Sequence, residues 1–131
     1  MPTNLQKVLE FHKFYECAIG KYPQFPENET MELRLSLIDE ERKELEDAIK
    51  DKDIVEVADA LTDLLYVIYG MGITFGIDLD ATFKEVHRSN MSKLGENGKP
   101  IRREDGKVLK GPNYSPPDLK KVIQEMYLTS L

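Results

Sequence analysis

Residues 30–75, TMELRLSLIDEERKELEDAIKDKDIVEVADALTDLLYVIYGMGITF, decide the fold. Two long helical periods meet there at a polar turn, Asp51-Lys52-Asp53. The first period predicts a helix over 30–51, with Thr30 able to cap it. Leu33, Leu37, Leu45 and Ala48 fall on one stripe of that helix. Glu41 lies in the middle of the stripe, Glu44 about 60° from it, and Glu40 at the rim. A carboxylate thus sits where the pattern asks for leucine, and leaving it there without a partner costs several kcal/mol. The second period predicts a helix from Asp53 to about Phe75, opened by Asp53-x-x-Glu56 in the form of a capping box. Its apolar residues cover most of the circumference, so it is expected to be buried nearly all round. Glu56, Asp59 and Asp63 nevertheless run down it as one narrow stripe, and no Lys or Arg occurs from Asp53 to Phe83.

Outward from this hairpin, residues 4–19 read as a first helix capped by Thr3 or Asn4 and stopped by Gly20. A fourth helix is expected over about 79–94, capped by Asp78 and stopped by Gly95. Beyond it, Glu96-Asn97-Gly98 and Glu104-Asp105-Gly106 are turn sequences, and Ile101 with Val108-Leu109 suggests a short β-hairpin around the second. Ser115-Pro116-Pro117-Asp118 reads as a helix start, giving a last helix over 116–128. The expectation is all-α: one domain over 1–131, with a four-helix bundle core at about 5–95 and an extension over 96–131 carrying a hairpin and a short helix.

Charge is unevenly placed along these elements. The chain of 131 residues has a net charge of −6, which argues against a nucleic acid polymer as partner. Residues 27–80 carry a net −11 and residues 84–121 a net +5. One cysteine, Cys17, excludes an internal disulfide framework and a cysteine zinc site, and fits a reducing, cytoplasmic setting. No apolar run is long enough to suggest a membrane span, and the N-terminal segment reads as an amphipathic helix, not a signal peptide. His12 and His87 are isolated and read as packed or surface residues. Tyr66 and Tyr69 read as core or interface aromatics.

Carboxylates that converge from two helices repel one another unless a hard cation joins them. The i, i+3 pairs Glu41/Glu44 and Glu56/Asp59 present oxygens from adjacent turns, a spacing that suits Mg²⁺. Solvated acidic faces are the plainer alternative for each pair taken alone.

Glu40-Glu41-Arg42-Lys43-Glu44 followed by Glu56-Val57-Ala58-Asp59 resembles the E-E-x-x-E … E-x-x-D signature of the all-α nucleoside triphosphate pyrophosphohydrolases, which include MazG-like proteins, helical dUTPases and dCTPases, and phosphoribosyl-ATP pyrophosphohydrolase. The resemblance covers about residues 5–95. It implies a MazG-like bundle in which Glu41, Glu44, Glu56 and Asp59 hold Mg²⁺, with Mn²⁺ as a substitute. Glu40 would orient or deprotonate the attacking water. Arg88, Asn90 and Lys93 would bind substrate phosphate, and Asp63 would be a further ligand or a sugar or base contact. Phe11, Phe14, Tyr15 and Phe25 are candidates for a base pocket. The implied reaction splits a nucleoside triphosphate, dUTP or dCTP as first expectation, into a monophosphate and pyrophosphate, cleansing the nucleotide pool. Phosphoribosyl-ATP is an alternative substrate. The apolar surplus on the third helix and the resemblance both imply a homodimer or tetramer. Two other functions compete: a non-enzymatic acidic helical dimer module, and a nucleic-acid binder using the basic 88–110 segment.

Overall fold

The apolar periods on either side of Asp51-Lys52-Asp53 fold back on each other as an antiparallel helical hairpin. In the computed structural model, which describes residues 1–129, α2 spans Asn28–Lys50 and α3 spans Ile54–Thr74, and the two pack along their length. Ser130 and Leu131, the end of the expected extension, lie outside the described residues. The reversal is tight because Lys52 takes a left-handed conformation (φ 52°), letting Lys52 N–H reach Ile49 O at 3.1 Å and Asp53 N–H reach Ala48 O at 3.2 Å. Asp53 then caps α3 by accepting from Glu56 N–H at 3.2 Å. Buried Ala48 and Ala60 place small side chains on both helices.

α1 (Asn4–Phe14) packs on α3. Thr3 and Gln6 form a reciprocal capping box at its start. It ends five residues before the expected stop. Glu16 turns left-handed (φ 55°) and Cys17 N–H closes on His12 O at 2.9 Å, so the backbone ends the helix well ahead of Gly20. The loop that follows is tied to the end of α3 by Gly20 N–H to Ile73 O (2.9 Å) and Gln24 N–H to Phe75 O (3.0 Å). Gly76, at φ +71°, lies so close to Tyr22 that a Cβ there would fall on the Tyr22 carbonyl. α2 begins at Asn28, two residues before Thr30, with Glu27 at the cap position and no side-chain cap bond.

Among the described residues, Val8, Ala48, Ala60 and Ile73 are the buried hydrophobic side chains, and His12, Arg34 and Thr74 are buried as well. His12 Nδ1 and Thr74 Oγ1 both donate to Ala18 O, at 3.0 and 3.1 Å. Burial depresses the His12 pKa; the Ala18 bond opposes this and the Arg34 charge adds to it. The neutral imidazole with its proton on Nδ1 follows. α3 is less covered than its composition predicts: Ile54, Val55, Leu61, Leu65 and Ile68 are exposed, Ile54 by 78% and Leu65 by 54%.

Residues 1–79 form one compact unit and residues 80–129 a second. The second holds all but the first residue of α4 (Leu79–Met91), the antiparallel strands β1 (Ile101–Arg102) and β2 (Val108–Leu109), and α5 (Leu119–Thr129). Ile101 pairs with Leu109 and Arg102 with Val108 around Glu104-Asp105-Gly106, Gly106 at φ +90°. α4 ends three residues early, and α5 starts three residues late. Asp118, not the proline pair, opens α5 by accepting from Lys121 N–H at 3.1 Å. No helix among the described residues is by itself long and apolar enough to cross a membrane.

Candidate metal and nucleotide site

Register in the α2–α3 hairpin fixes which acids meet. Glu41 and Asp63 stand eleven residues on either side of Lys52, so they come level across the helix pair. One carboxylate oxygen each from Glu41, Glu44 and Asp63 lie within 4.8 Å of one another. Glu41 and Asp63 are half-buried and Glu44 is exposed. Glu41 Oε2 is closed off from solvent and accepts no hydrogen bond among the described residues. Burial, a hydrogen bond with Glu44, and the charges of Glu44, Asp63 and Asp59 push the Glu41 carboxyl up to about 7. Asp63 is raised for the same reasons: burial first, then Asp59 and Glu44.

Glu44 also borders an acidic cleft of about 290 Å³ together with Asp47, Asp51, Glu56 and Asp59. The four expected ligands therefore divide. Glu41 and Glu44 join Asp63 in the tight group, while Glu56 and Asp59 line the adjoining cleft with Glu44 as the shared residue. Asp63 is the residue whose place in the group the acidic pairs alone did not reveal; its equal distance from the turn was the available signal. Glu40 is exposed on α2 and belongs to neither grouping. The donor set is all carboxylate oxygen, which suits a hard divalent cation, and the unpartnered Glu41 oxygen is a ready ligand.

A cavity of about 600 Å³ lies in the same unit, lined by Lys7, Glu10, Phe11, Phe14, Tyr15 and Tyr66. Phe11 stacks at a tilt on Tyr15 (4.4 Å between ring centres, 34°) and meets Tyr66 edge-on at 5.5 Å. Tyr66 follows Asp63 by one helical turn. Three of the four residues expected for a base pocket thus come together with Tyr66. Phe25 does not join them; it packs edge-on to Phe75 at 5.7 Å.

In the second unit, Arg88 forms a bidentate pair with Glu85 at 2.8 and 2.9 Å and donates to Ser115 Oγ (3.0 Å) and Pro116 O (3.1 Å). Four of its five N–H groups are occupied. The Arg88 bonds and the Asp118 N–H hold the Glu85 carboxyl at a pKa of about 2. Asn90 is exposed on α4, and Lys93, half-buried just beyond the helix, forms no ion pair among the described residues.

Comparison with known proteins agrees with this geometry. The profile of the phosphoribosyl-ATP pyrophosphohydrolase family matches residues 8–90. The chain is 36% identical over 129 residues to an uncharacterized protein of Acanthamoeba polyphaga mimivirus, covering 95% of this chain and 49% of that one, so it spans about half the length of this curated relative. The fold is similar to a crystal structure from Exiguobacterium sp. 255-15, a protein whose assignment as an NTP pyrophosphohydrolase is provisional, with a TM-score of 0.52 at 23% identity, covering 98% of this chain and 95% of that one. With its helical hairpin, its converging acids and a profile match across most of its length, the chain belongs to the phosphoribosyl-ATP pyrophosphohydrolase family, within the MazG-like all-α superfamily.

Proposed function

We propose that this chain hydrolyses a nucleoside triphosphate to the monophosphate and pyrophosphate in a Mg²⁺-dependent reaction, with a deoxynucleoside triphosphate such as dUTP or dCTP as substrate. The observation that carries this reading is the Glu41 carboxylate, one oxygen of which is shielded and accepts no hydrogen bond, grouped with the carboxylates of Glu44 and Asp63. Glu41, Glu44 and Asp63 are the residues to hold the ion, with Glu56 and Asp59 extending the ligand set along the cleft. When bound, Mg²⁺ supplies positive charge against the phosphates and Lewis acidity at the reacting centre. Glu40 is the candidate to take the proton of the water whose oxygen attacks the α-phosphorus; the α–β P–O bond breaks and pyrophosphate leaves. Phe11, Tyr15 and Tyr66 offer ring faces for the base. Lys93 and Asn90 are the phosphate-binding candidates, and Arg88 contributes by holding the chain around them. We assign both units to one catalytic domain, working as a homodimer that covers the exposed apolar side of α3.

The test is pyrophosphate release across the common, deoxy and damaged triphosphates while Mg²⁺ is titrated. Phosphoribosyl-ATP belongs in that panel because the matching profile carries its name. Metal-dependent turnover of at least one substrate, abolished in Glu41→Gln, is expected. A panel with no turnover at any metal concentration refutes the proposal.

A further inference from the structure

After β2 the chain does not leave the second unit; it is strapped to α4. Arg88 holds Ser115 Oγ and Pro116 O. Glu85 Oε2 accepts from Asp118 N–H at 2.7 Å. Ser92 Oγ accepts from Ser115 N–H at 2.8 Å and donates to Ser89 O at 2.6 Å. The other end of the strap is fixed by a close approach. A Cβ on Gly111 would lie 2.7 Å from Lys93 O and nearer still to Leu94 O, so only glycine lets the strap come this near. Lys110 is the residue immediately before this backbone approach to Lys93.

Two acids of this unit are already paired with arginines. Glu85 is consumed by Arg88 and Asp105 by Arg103. Neither Lys93 nor Lys110 has a carboxylate partner among the described residues. The Lys110 ammonium instead stands 4.8 Å above the Tyr114 ring, which orients its stem and leaves its three N–H donors without an anionic acceptor. Tyr114 is itself fixed by its N–H bond to Gly111 O at 3.2 Å. A single cation beside the last carbonyls of α4 would be accounted for by the helix dipole. Two, one of them on a strap with four side-chain-mediated ties, ask for an anion of more than one charge.

We propose that Lys110 is a second polyphosphate-binding residue, delivered beside Lys93 by the 111–118 strap, and that this is a role of the extension beyond the helical core. The inference rests on the hydrolase reading for the identity of the anion, but its test does not need turnover. The probe is inorganic pyrophosphate with Mg²⁺, titrated calorimetrically into the full chain. Losing one charge-assisted contact corresponds to about a tenfold or greater fall in affinity. Lys110→Met is expected to weaken binding by that factor, Lys110→Arg to restore most of it, and Lys107→Met, an exposed hairpin control, to change it less than twofold. Gly111→Val should reproduce the Lys110→Met loss by lifting the strap. In a double-mutant cycle with Lys93→Met the two losses should be non-additive if both lysines hold one anion. Wild-type-like binding by Lys110→Met overturns the inference, as does an equal loss in Lys107→Met, or a wild-type chain that binds no pyrophosphate. Absence of triphosphate turnover with the Lys110 effect intact instead overturns the hydrolase reading and leaves a phosphate site standing.

Discussion

Replacing Glu41 by glutamine tests the electrostatic reading of the acidic site directly. The Glu41 carboxyl is raised from 4.5 to about 7 in the folded chain. A group whose folded pKa lies above its unfolded value lends stability that is fully present below the unfolded pKa. That stability is lost as the pH rises through the folded one. In the metal-free protein the window is therefore about pH 4.5 to 7. The shift corresponds to about 3 kcal/mol at 1.36 kcal/mol per pKa unit. The carboxyl group is only part-buried and water screens it, so about 1–2 kcal/mol is expected. Glutamine keeps the shape and removes the charge at every pH. In EDTA, Glu41→Gln should match the native chain near pH 4.5 and exceed it by about 1–2 kcal/mol at pH 8 in urea unfolding. Adding Mg²⁺ at a hundred times its dissociation constant should stabilise the native chain by about 2.7 kcal/mol. The variant should gain far less. If the variant is the less stable one at pH 8, or if Mg²⁺ stabilises both chains alike, the acids do not form the strained, cation-seeking group described above.

Gly76→Ala should lower stability by about 2 kcal/mol or more in the same unfolding assay, because φ is +71° and the new Cβ meets the Tyr22 carbonyl; a loss within error of zero would remove that contact from the account. Arg88→Met should open the 111–118 strap to limited proteolysis while α2 and α3 stay protected, since it deletes the bonds to Glu85, Ser115 and Pro116; a digestion pattern like that of the native chain would contradict the strap. Leu65→Lys places a charge on the exposed apolar side of α3 and should shift the chain to a monomer in light scattering coupled to size exclusion; an unchanged mass would place any dimer contact elsewhere.

The α2–α3 hairpin was legible in the sequence because both helices are long and strongly periodic, and because Asp53 is a good cap. What was less legible depended on backbone or register. α1 ends at Phe14 with Glu16 in the left-handed region, and a non-glycine stop carries less signal in a sequence than Gly20 does. Pro116 and Pro117 suggested a helix start, yet they lie in the strap and Asp118 opens α5. The two acidic pairs announced a cation site, but which carboxylates share it is set by the phase of one helix against the other. Counting outward from Lys52 would have brought Asp63 level with Glu41. For Arg88, the family resemblance implied phosphate binding, whereas Glu85 one turn earlier and the returning strap engage four of its N–H groups. A wheel shows which face a residue takes; it does not show which distant segment comes back to that face.

The same distinction separates a catalytic centre from an acidic adaptor surface. A basic partner docking on α2 and α3 could neutralise exposed Glu44, Glu56 and Asp59, but it could not easily reach a Glu41 oxygen that is already closed off from solvent. A small cation can, and it needs no large interface to do so. The second unit presents the converse problem, two lysines with no carboxylate partner among the described residues. Each unit, taken alone, carries charge that its own residues leave unmatched, of opposite sign in the two. A hard divalent cation is the counter-charge that suits the carboxylates of the first unit, and phosphate oxygens are the counter-charge that suits the ammonium groups of the second.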